Sequence, residues 1–403
     1  MGHYILADIL LQLGKTEEAK ELRKAVKGHY VVDIFPYRPE EIKVLDRASK
    51  DETDAVAVYL KGCILYDKLH SEEAAECFEE AIRRDPESYF AYRCLGAAYF
   101  SRLDRREEAL LLYKKAMELT SGNEMLLIET NFVMAHIGVD PEERVSYLLA
   151  NKPEKMNDEL TWEIADAMSA WGKYDDAIAL LKSHEFVAAE CQETYLTESW
   201  TFANVAKGRL LMGEGKAEEA LKYFRDAQTI QANFRAGWWD TQALYYARVH
   251  EANCLLALGE KEAARQVAAK VLPFIHSNYS PYMGPESEVY VGMAMRILGD
   301  TVNSGKYVSD AVIRWENDLK GAMGGNGRKA AGDGRRDRKP IVTALFLTTV
   351  PDGAKEHDSE VYQALGYSCL FFNDPSGAKE YFTKSLELDP SNRKARFELS
   401  LLK

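Results

Sequence analysis

The sequence has no run of about 18 consecutive apolar residues, which is the length that a helix needs to span a bilayer, so we predict no transmembrane helix. The N-terminal segment also lacks the basic start and the unbroken apolar core of a signal peptide, because Asp8 and Gln12 interrupt it. Leu6 stands where a myristoylation signal has Ser or Thr. We therefore expect a cytoplasmic protein without a membrane partner.

The sequence also has no excess of positive charge. The formal net charge is −13 at pH 7, whereas binding to nucleic acid phosphates needs concentrated Lys and Arg. The six cysteines form no Cys-x-x-Cys pair and no compact disulfide spacing, which fits a reducing compartment. We expect no nucleic acid partner and no disulfide framework.

Motifs for catalysis and for metal binding are absent. The sequence contains no His-Glu-x-x-His, no Gly-x-Ser-x-Gly and no dinucleotide-binding glycine pattern. Acidic pairs such as Glu72–Glu73, Glu107–Glu108 and Glu218–Glu219 are expected to face solvent near the start of a helix, where negative charge suits the helix dipole. We predict a protein that is not an enzyme and has no metal site and no cofactor.

What the sequence does contain is an internal repeat. In the segment SEEAAECFEEAIRRDP, Ala74, Phe78, Ala81 and Pro86 follow one another at steps of four, three and five residues. The segment REEALLLYKKAMEL has Ala109, Tyr113 and Ala116 at the same steps, 35 residues later. A helix with a glycine precedes each segment. Small residues let two helices cross closely, large ones are expected to fill the gap to the next repeat, and proline ends a helix.

The same register continues along most of the chain, in roughly nine units. The residues that mark it are Ala19; Gly62 and Ala74; Gly96 and Ala109; Gly172 and Ala177; Gly208, Ala220 and Phe224; Ala252, Gly259 and Ala264; Gly292, Gly299 and Ala311; and Gly366, Ala378, Phe382 and Pro390. A further unit spans the segment EMLLIETNFVMAHIGVDPEERVSYLLA, and the final segment SNRKARFELSLLK is expected to form a solvating end helix.

This pattern resembles the tetratricopeptide repeat (TPR), whose period is about 34 residues. The resemblance implies an all-α fold, a TPR α-solenoid in which antiparallel helix pairs stack into a right-handed superhelix. We predict a TPR array over residues 1–315 with an irregular connector at 28–50, a Gly-rich basic loop and connector at 316–358, and a C-terminal TPR with its end helix at 359–403.

Three segments depart from the repeat. Pro36 and Pro39 favour an extended connector before a short helix. The segment ANFRAGWWDTQALYY clusters Trp238, Trp239 and Tyr245. Residues 321–339 are Gly-rich and contain six Lys or Arg residues, which predicts either a solvated insertion or a docking site for an acidic partner. This loop is not a phosphate-binding loop, because Arg328 follows Gly327 and no strand precedes it.

In TPR arrays the first helix of each pair lines the concave groove, so residues counted from the repeat glycines are ligand-binding candidates. Such a surface is aromatic with scattered polar groups, and it suits a peptide or a partner helix. Packing between helices is an equally good interpretation of the same aromatic residues. The candidates are Tyr59, Tyr66, Phe90, Arg93, Phe100, Arg209, Tyr246 and Asn253.

Two regions carry a second resemblance. The segments VVDIFPYRPEEIKVLDRA and AVYLKGCILYDKLHSEEAAECFEEAI, with VPDGAKEHD and VYQALGYSCLFFNDPSGAKEYF near the end, resemble the TPR half of a bacterial family. In that family a β-rich domain similar to galactose mutarotase precedes the repeats, which implies carbohydrate metabolism. That domain is missing from this sequence. The chain opens inside a repeat with Ile5, Leu6, Ile9 and Leu10, so we expect a fragment, an alternative start or a docking N-terminal face.

Three hypotheses of function follow. The first is a non-catalytic scaffold that holds a protein or peptide partner in its concave groove. The second is an accessory carbohydrate-binding module that stacks sugar rings on Trp238, Trp239, Tyr245 and Tyr246. The third is a structural arm whose N-terminal face packs on another domain or on a second copy of the chain.

Overall fold

The computed structural model describes residues 1–26, 36, 38–187, 192–235, 242–272, 284–323 and 353–402. These residues form 20 α-helices and no strand. The helices are α1 (Gly2–Gln12), α2 (Thr16–Val26), α3 (Pro39–Ala48), α4 (Ala55–Asp67), α5 (Ser71–Arg84), α6 (Tyr89–Ser101), α7 (Arg106–Glu118), α8 (Glu124–His136), α9 (Pro141–Asn151), α10 (Asp158–Trp171), α11 (Tyr174–Ser183), α12 (Gln192–Gly213), α13 (Ala217–Asp226), α14 (Gln242–Ala257), α15 (Lys261–Ala269), α16 (Ser287–Ile297), α17 (Thr301–Met323), α18 (Gly353–Phe371), α19 (Pro375–Leu388) and α20 (Arg393–Leu401).

The helices follow one another as nine successive pairs, with α3 and α20 outside the pairs. Within eight of these pairs, from α1/α2 to α18/α19 and apart from α8/α9, the two helices pack against each other. Helices α5 and α19 end shortly before Pro86 and Pro390, as the sequence predicts. The prediction of an all-α solenoid is confirmed.

The chain divides into two compact units. The first unit contains Met1–Met134 and Asn151–Glu154, and the second contains Ala135–Ala150 and the described residues after Glu154. All six tryptophans of the sequence lie between residues 162 and 315, within the range of the second unit. Tryptophan fluorescence therefore reports on the second unit selectively.

In four pairs, an aromatic ring of the second helix packs directly on a glycine of the first helix. A Cβ atom on Gly62 would lie 2.7 Å from the Phe78 ring, and one on Gly366 would lie 2.6 Å from the Phe382 ring. Gly96 with Tyr113 and Gly208 with Phe224 show the same packing, at 3.0 and 2.7 Å. The rings thus pack on the glycine of their own pair, whereas the sequence analysis expected them to fill the gap to the next repeat.

Most turns inside a pair depend on a residue in the left-handed region. Gly172 directly follows α10 with φ of 87°, and Gly215 and Gly259 end α12 and α14 in the same way, with φ of 78° and 82°. Glycine adopts this conformation at no steric cost. The first helix therefore stops at a residue that the sequence marks, and the second helix can reverse direction.

The segments that depart from the repeat lie only in part within the described residues. A short helix, α3, follows the connector and begins at Pro39 itself, which the sequence analysis assigned to the extended segment, whereas residues 27–35 and 37 of the connector are outside the description. Helix α17 runs on to Met323 and α18 begins at Gly353, so helices enter the predicted 316–358 loop from both sides. The rest of that loop, including nearly all of the basic segment, lies outside the described residues. Its docking role stays a prediction.

We expect Gly366→Ala to lower the free energy of unfolding of the second unit, because the added methyl group would overlap the Phe382 ring. Overpacking of this kind costs about 1–3 kcal/mol. Urea unfolding followed by tryptophan fluorescence measures the change.

The matched control is Gly305→Ala in α17, where a Cβ atom would meet no other atom within 4 Å. Alanine in a helix interior is more favourable than glycine by about 0.5–1 kcal/mol, so this variant should be more stable than the wild type. Equal effects of the two substitutions would contradict the role assigned to the Gly366–Phe382 contact.

Candidate functional site

The candidates in the first unit are buried. Tyr59 and Tyr66 on α4 are 4% and 6% exposed, and Phe90 and Phe100 on α6 are 8% and 0% exposed. The Tyr59 ring lies 6.1 Å from the Phe78 ring and 6.4 Å from the Phe90 ring, measured between centroids. Packing between helices, the second interpretation offered by the sequence, therefore describes these side chains. A role for them in contacting a ligand stays a prediction.

Arg93 is buried as well, and it is held by an acidic residue of the following pair. Its guanidinium donates two hydrogen bonds to Glu129, at 2.8 and 2.6 Å. Burial alone would lower the pKa of Arg93, but the attraction of the Glu129 carboxylate outweighs burial and raises the pKa above its ordinary value. Arg93 and Glu129 thus form a buried ion pair without net charge inside the first unit.

Replacing Arg93 by Met should destabilise the chain by about 3–5 kcal/mol, because it leaves the Glu129 carboxylate buried without the facing cation. The double variant Arg93→Met/Glu129→Leu removes both charges and should recover most of that loss. Urea unfolding followed by far-ultraviolet circular dichroism measures the free energies.

Arg83→Met is the matched control, since Arg83 pairs with Glu80 at 2.6 Å on the surface and its side chain is 65% exposed. A surface pair is worth about 1 kcal/mol or less. If Arg93→Met costs no more than Arg83→Met, the buried pair does not stabilise the first unit.

The candidates of the second unit occupy different environments. Tyr246 and Tyr245 on α14 are 2% and 0% exposed, while Asn253 further along the same helix is exposed. Trp238 and Trp239 lie outside the described residues. Two of the four aromatic residues assigned to sugar stacking thus have no exposed ring face, and the carbohydrate hypothesis stays an untested prediction.

Arg209 leads to a site that the sequence analysis did not predict. The C-terminal helix α20 lies against helices α10, α12 and α16, which are the first helices of three pairs. We call the five residues that pair with its charged side chains or pack against its Phe397 ring through their own rings the α20 seat. The α20 seat consists of Asp166, Tyr174, Phe202, Arg209 and Glu286.

Charged side chains attach α20 to the seat at three points. Arg393 forms an ion pair with Asp166 on α10, and the Lys394 Nζ atom lies 3.0 Å from a carboxylate oxygen of Glu286 at the start of α16. In the opposite sense, Arg209 on α12 donates a hydrogen bond of 2.8 Å to Glu398 and forms an ion pair with it. The seat accepts two cations and one carboxylate, and each meets the opposite charge.

An aromatic residue of α20 lies between these charges. The centroid of the Phe397 ring is 5.9 Å from that of Tyr174 and 6.1 Å from that of Phe202, both nearly edge-on. The Arg209 guanidinium lies 5.0 Å from the centre of the Phe397 ring, within the range of a cation–π contact. Phe397 is 3% exposed. It therefore acts as an apolar anchor inside the seat.

Arg209 is the electrostatic centre of the seat. Burial alone would lower the pKa of its guanidinium, but Glu398 and then Tyr246 outweigh burial and raise the pKa well above its ordinary value. The Tyr246 hydroxyl accepts a hydrogen bond of 3.3 Å from Arg209. The pKa of the nearby His250 is lowered well below its usual range, first by burial and then by the Arg209 charge. Because His250 is neutral, Arg209 is the main cation that faces Glu398.

The final segment forms the end helix that the sequence predicts, and one face of this helix is buried. Ala395, Phe397 and Glu398 are each at most 3% exposed, because Ala395 packs against α18 and α19 while Phe397 and Glu398 pack into the seat. The signal in the sequence is the four-residue spacing of Arg393 with Phe397 and of Lys394 with Glu398, which places them on neighbouring strips of one helix. Nothing in a single sequence says which distant residues that face meets.

We expect Arg209→Met and Glu398→Gln each to destabilise the second unit by about 3 kcal/mol, because each leaves a buried charge without its counterion. The double variant should cost less than the sum of the two, with a coupling energy of about 1–3 kcal/mol. Urea unfolding followed by tryptophan fluorescence gives the four free energies. Strict additivity would show that the two side chains do not interact in solution.

Other surfaces offer less chemistry. Ile5, Leu6 and Ile9 on α1 are 37%, 48% and 47% exposed, so the predicted N-terminal docking face is apolar, and its use stays a prediction.

Among the described residues no group of three His, Cys, Asp or Glu side chains could hold a metal ion. Within the same residues, no helix combines the length and the apolar character needed to cross a membrane.

Comparison with known families identifies the repeat. Family models described as tetratricopeptide repeat match residues 59–124, and also residues 2–27, 203–234 and 359–392. No curated protein matches the chain. The described residues are thus an all-α solenoid that contains tetratricopeptide repeats.

Solved structures that match the chain are distant in sequence. YrrB, a TPR protein with an unusual peptide-binding site, is 19% identical, with 46% of this chain and 91% of YrrB covered and a TM-score of 0.36. The Naa15/Naa10 structure bound to HypK is 19% identical, with 89% and 58% covered and a TM-score of 0.39. The human IFIT1 dimer with PPP-AAAA is 16% identical, with 95% and 81% covered and a TM-score of 0.33.

Proposed function

We propose that this chain is a non-catalytic scaffold that binds protein partners through the inner surface of its repeats, at the α20 seat. The observation that carries the proposal is the seat itself. Side chains of α10, α11 and α12 and of the residue before α16 hold a helical segment by two acidic groups, one basic group and an aromatic wall. A surface that holds one helix in this way has the chemistry to hold another.

The balance of charge and apolar contact supports protein as the ligand. Protein interfaces combine a buried aromatic or arginine anchor with surrounding polar contacts. The seat offers both, because Phe202 and Arg209 contact the buried Phe397 ring while Asp166 and Glu286 pair with the half-buried cations Arg393 and Lys394. An amphipathic helix laid in a groove is a common mode of recognition among helical proteins.

An affinity pull-down from the native lysate, with mass spectrometry of the captured proteins, tests the function. The wild-type chain is compared with Arg209→Glu, which reverses the charge at the centre of the seat. Lys222→Glu is the matched control, because Lys222 is exposed on α13 and the change in net charge is the same. We expect a stoichiometric partner with the wild type and with Lys222→Glu, and at least a tenfold loss with Arg209→Glu, the equivalent of about 1.4 kcal/mol.

Two results would contradict the proposal at different levels. If the Arg209→Glu chain captures the partner as fully as the wild type does, the chain is a scaffold but the seat is not its binding surface. The absence of any stoichiometric partner for all three chains would contradict the scaffold function. Tryptophan fluorescence of each purified chain shows beforehand that the second unit is folded.

A further inference from the structure

The helix α20 has the properties of a detachable element. It contains nine residues, and only residues 389–392 join it to α19. Isolated helices shorter than about 12 residues are barely stable in water, so α20 outside the seat would lose most of its helical structure. Its order therefore depends on what it contacts, which is the preceding helix α19 together with the side chains of the seat.

The residues of α20 that contact the seat lie close together in the sequence, between Arg393 and Glu398. Arg393 and Lys394 supply the two cations, and Phe397 and Glu398 supply the ring and the carboxylate one turn later. Ala395 is 0% exposed and packs against α18 and α19, so a small residue is required at this position of α20. The pattern is Arg-Lys-Ala-x-Phe-Glu, and any helix that presents it would offer the seat the same groups.

We propose that α20 is an intramolecular ligand of the seat, and that the external partner is an amphipathic helix with this same arrangement of two adjacent cations followed by Phe-Glu. The inference rests on the proposed function and names its ligand chemistry. Charge complementarity carries it. Asp166 and Glu286 require cations, and Arg209, deep in the seat, requires a carboxylate.

The short tether sets the strength of the competition. A ligand joined by a short flexible linker meets its site at an effective concentration on the order of millimolar. A free peptide that makes the same contacts as α20 must therefore reach about 1 mM to occupy half of the wild-type seats. A partner that binds more tightly has to contact residues beyond those that α20 covers, or α20 has to be released first.

The test uses the full chain and a fluorescent peptide of residues 389–402 with blocked termini. Glu398→Lys places a cation against Arg209 and should release α20 from the seat. Glu387→Lys is the matched control, because Glu387 is exposed on α19 and the change in charge is identical. Fluorescence anisotropy measures binding of the peptide to each chain.

We expect the peptide to bind Glu398→Lys at least tenfold more tightly than it binds the wild type or Glu387→Lys. A peptide with the same Glu→Lys change should bind none of the three chains, and a peptide with Phe397→Ala should bind at least tenfold more weakly. Hydrogen exchange should show faster exchange of the α20 amides in Glu398→Lys, with the α18 and α19 amides unchanged. If Glu398→Lys does not fold, Phe397→Ala in the chain opens the seat without adding a charge.

Two outcomes would overturn the inference. If the α20 amides exchange in the opened chain as slowly as in the wild type, α20 is a fixed part of the fold. If α20 is released and the peptide still does not bind, the seat does not recognise this pattern in a free helix. Either result leaves the scaffold function to be judged by the pull-down, because the peptide is a defined probe and the pull-down does not depend on it.

Discussion

The close approach of two helices within a pair is the constraint on which the rest of this structure depends. At Gly62, Gly208 and Gly366 the aromatic ring of the second helix occupies the space where a side chain would begin. The ring and the missing Cβ atom fix both the distance between the two helices and their register. Each pair becomes a unit of defined shape, and only units of defined shape can stack into an array with a regular inner surface.

The same constraint explains what could be predicted from the sequence. Glycine, alanine and aromatic residues recur at fixed local steps, so the sequence predicts the helix pairs and where α5 and α19 end. These features depend on neighbours within about 35 residues, and a single sequence contains that information. Exposure of the first helices was not predictable in this way. The sequence analysis predicts that Tyr59 and Phe100 line the groove, yet both side chains are buried.

Two arginines show where local reasoning ends. The buried Arg93 and the half-buried Arg209 both lie on first helices, and each meets a buried carboxylate. The partner of Arg93 lies 36 residues away in the next pair, so the repeat period brings it near. The partner of Arg209 lies 189 residues away in α20, and no period in the sequence connects the two. The α20 seat was missed for this reason, although its residue types were visible.

The position of α20 also changes how the second unit can unfold. In a simple repeat array each pair contacts only its neighbours, so stability is a sum of local terms and the ends unravel first. Through Arg393 and Asp166, however, α20 connects the last pair to the pair that begins with α10. The final pair is therefore connected to a distant pair as well as to its neighbour, and loss of this connection would leave an ordinary open array. A contact of this kind couples the stability of the end of the unit to that of its beginning, so we expect the end to melt less independently than in a linear stack.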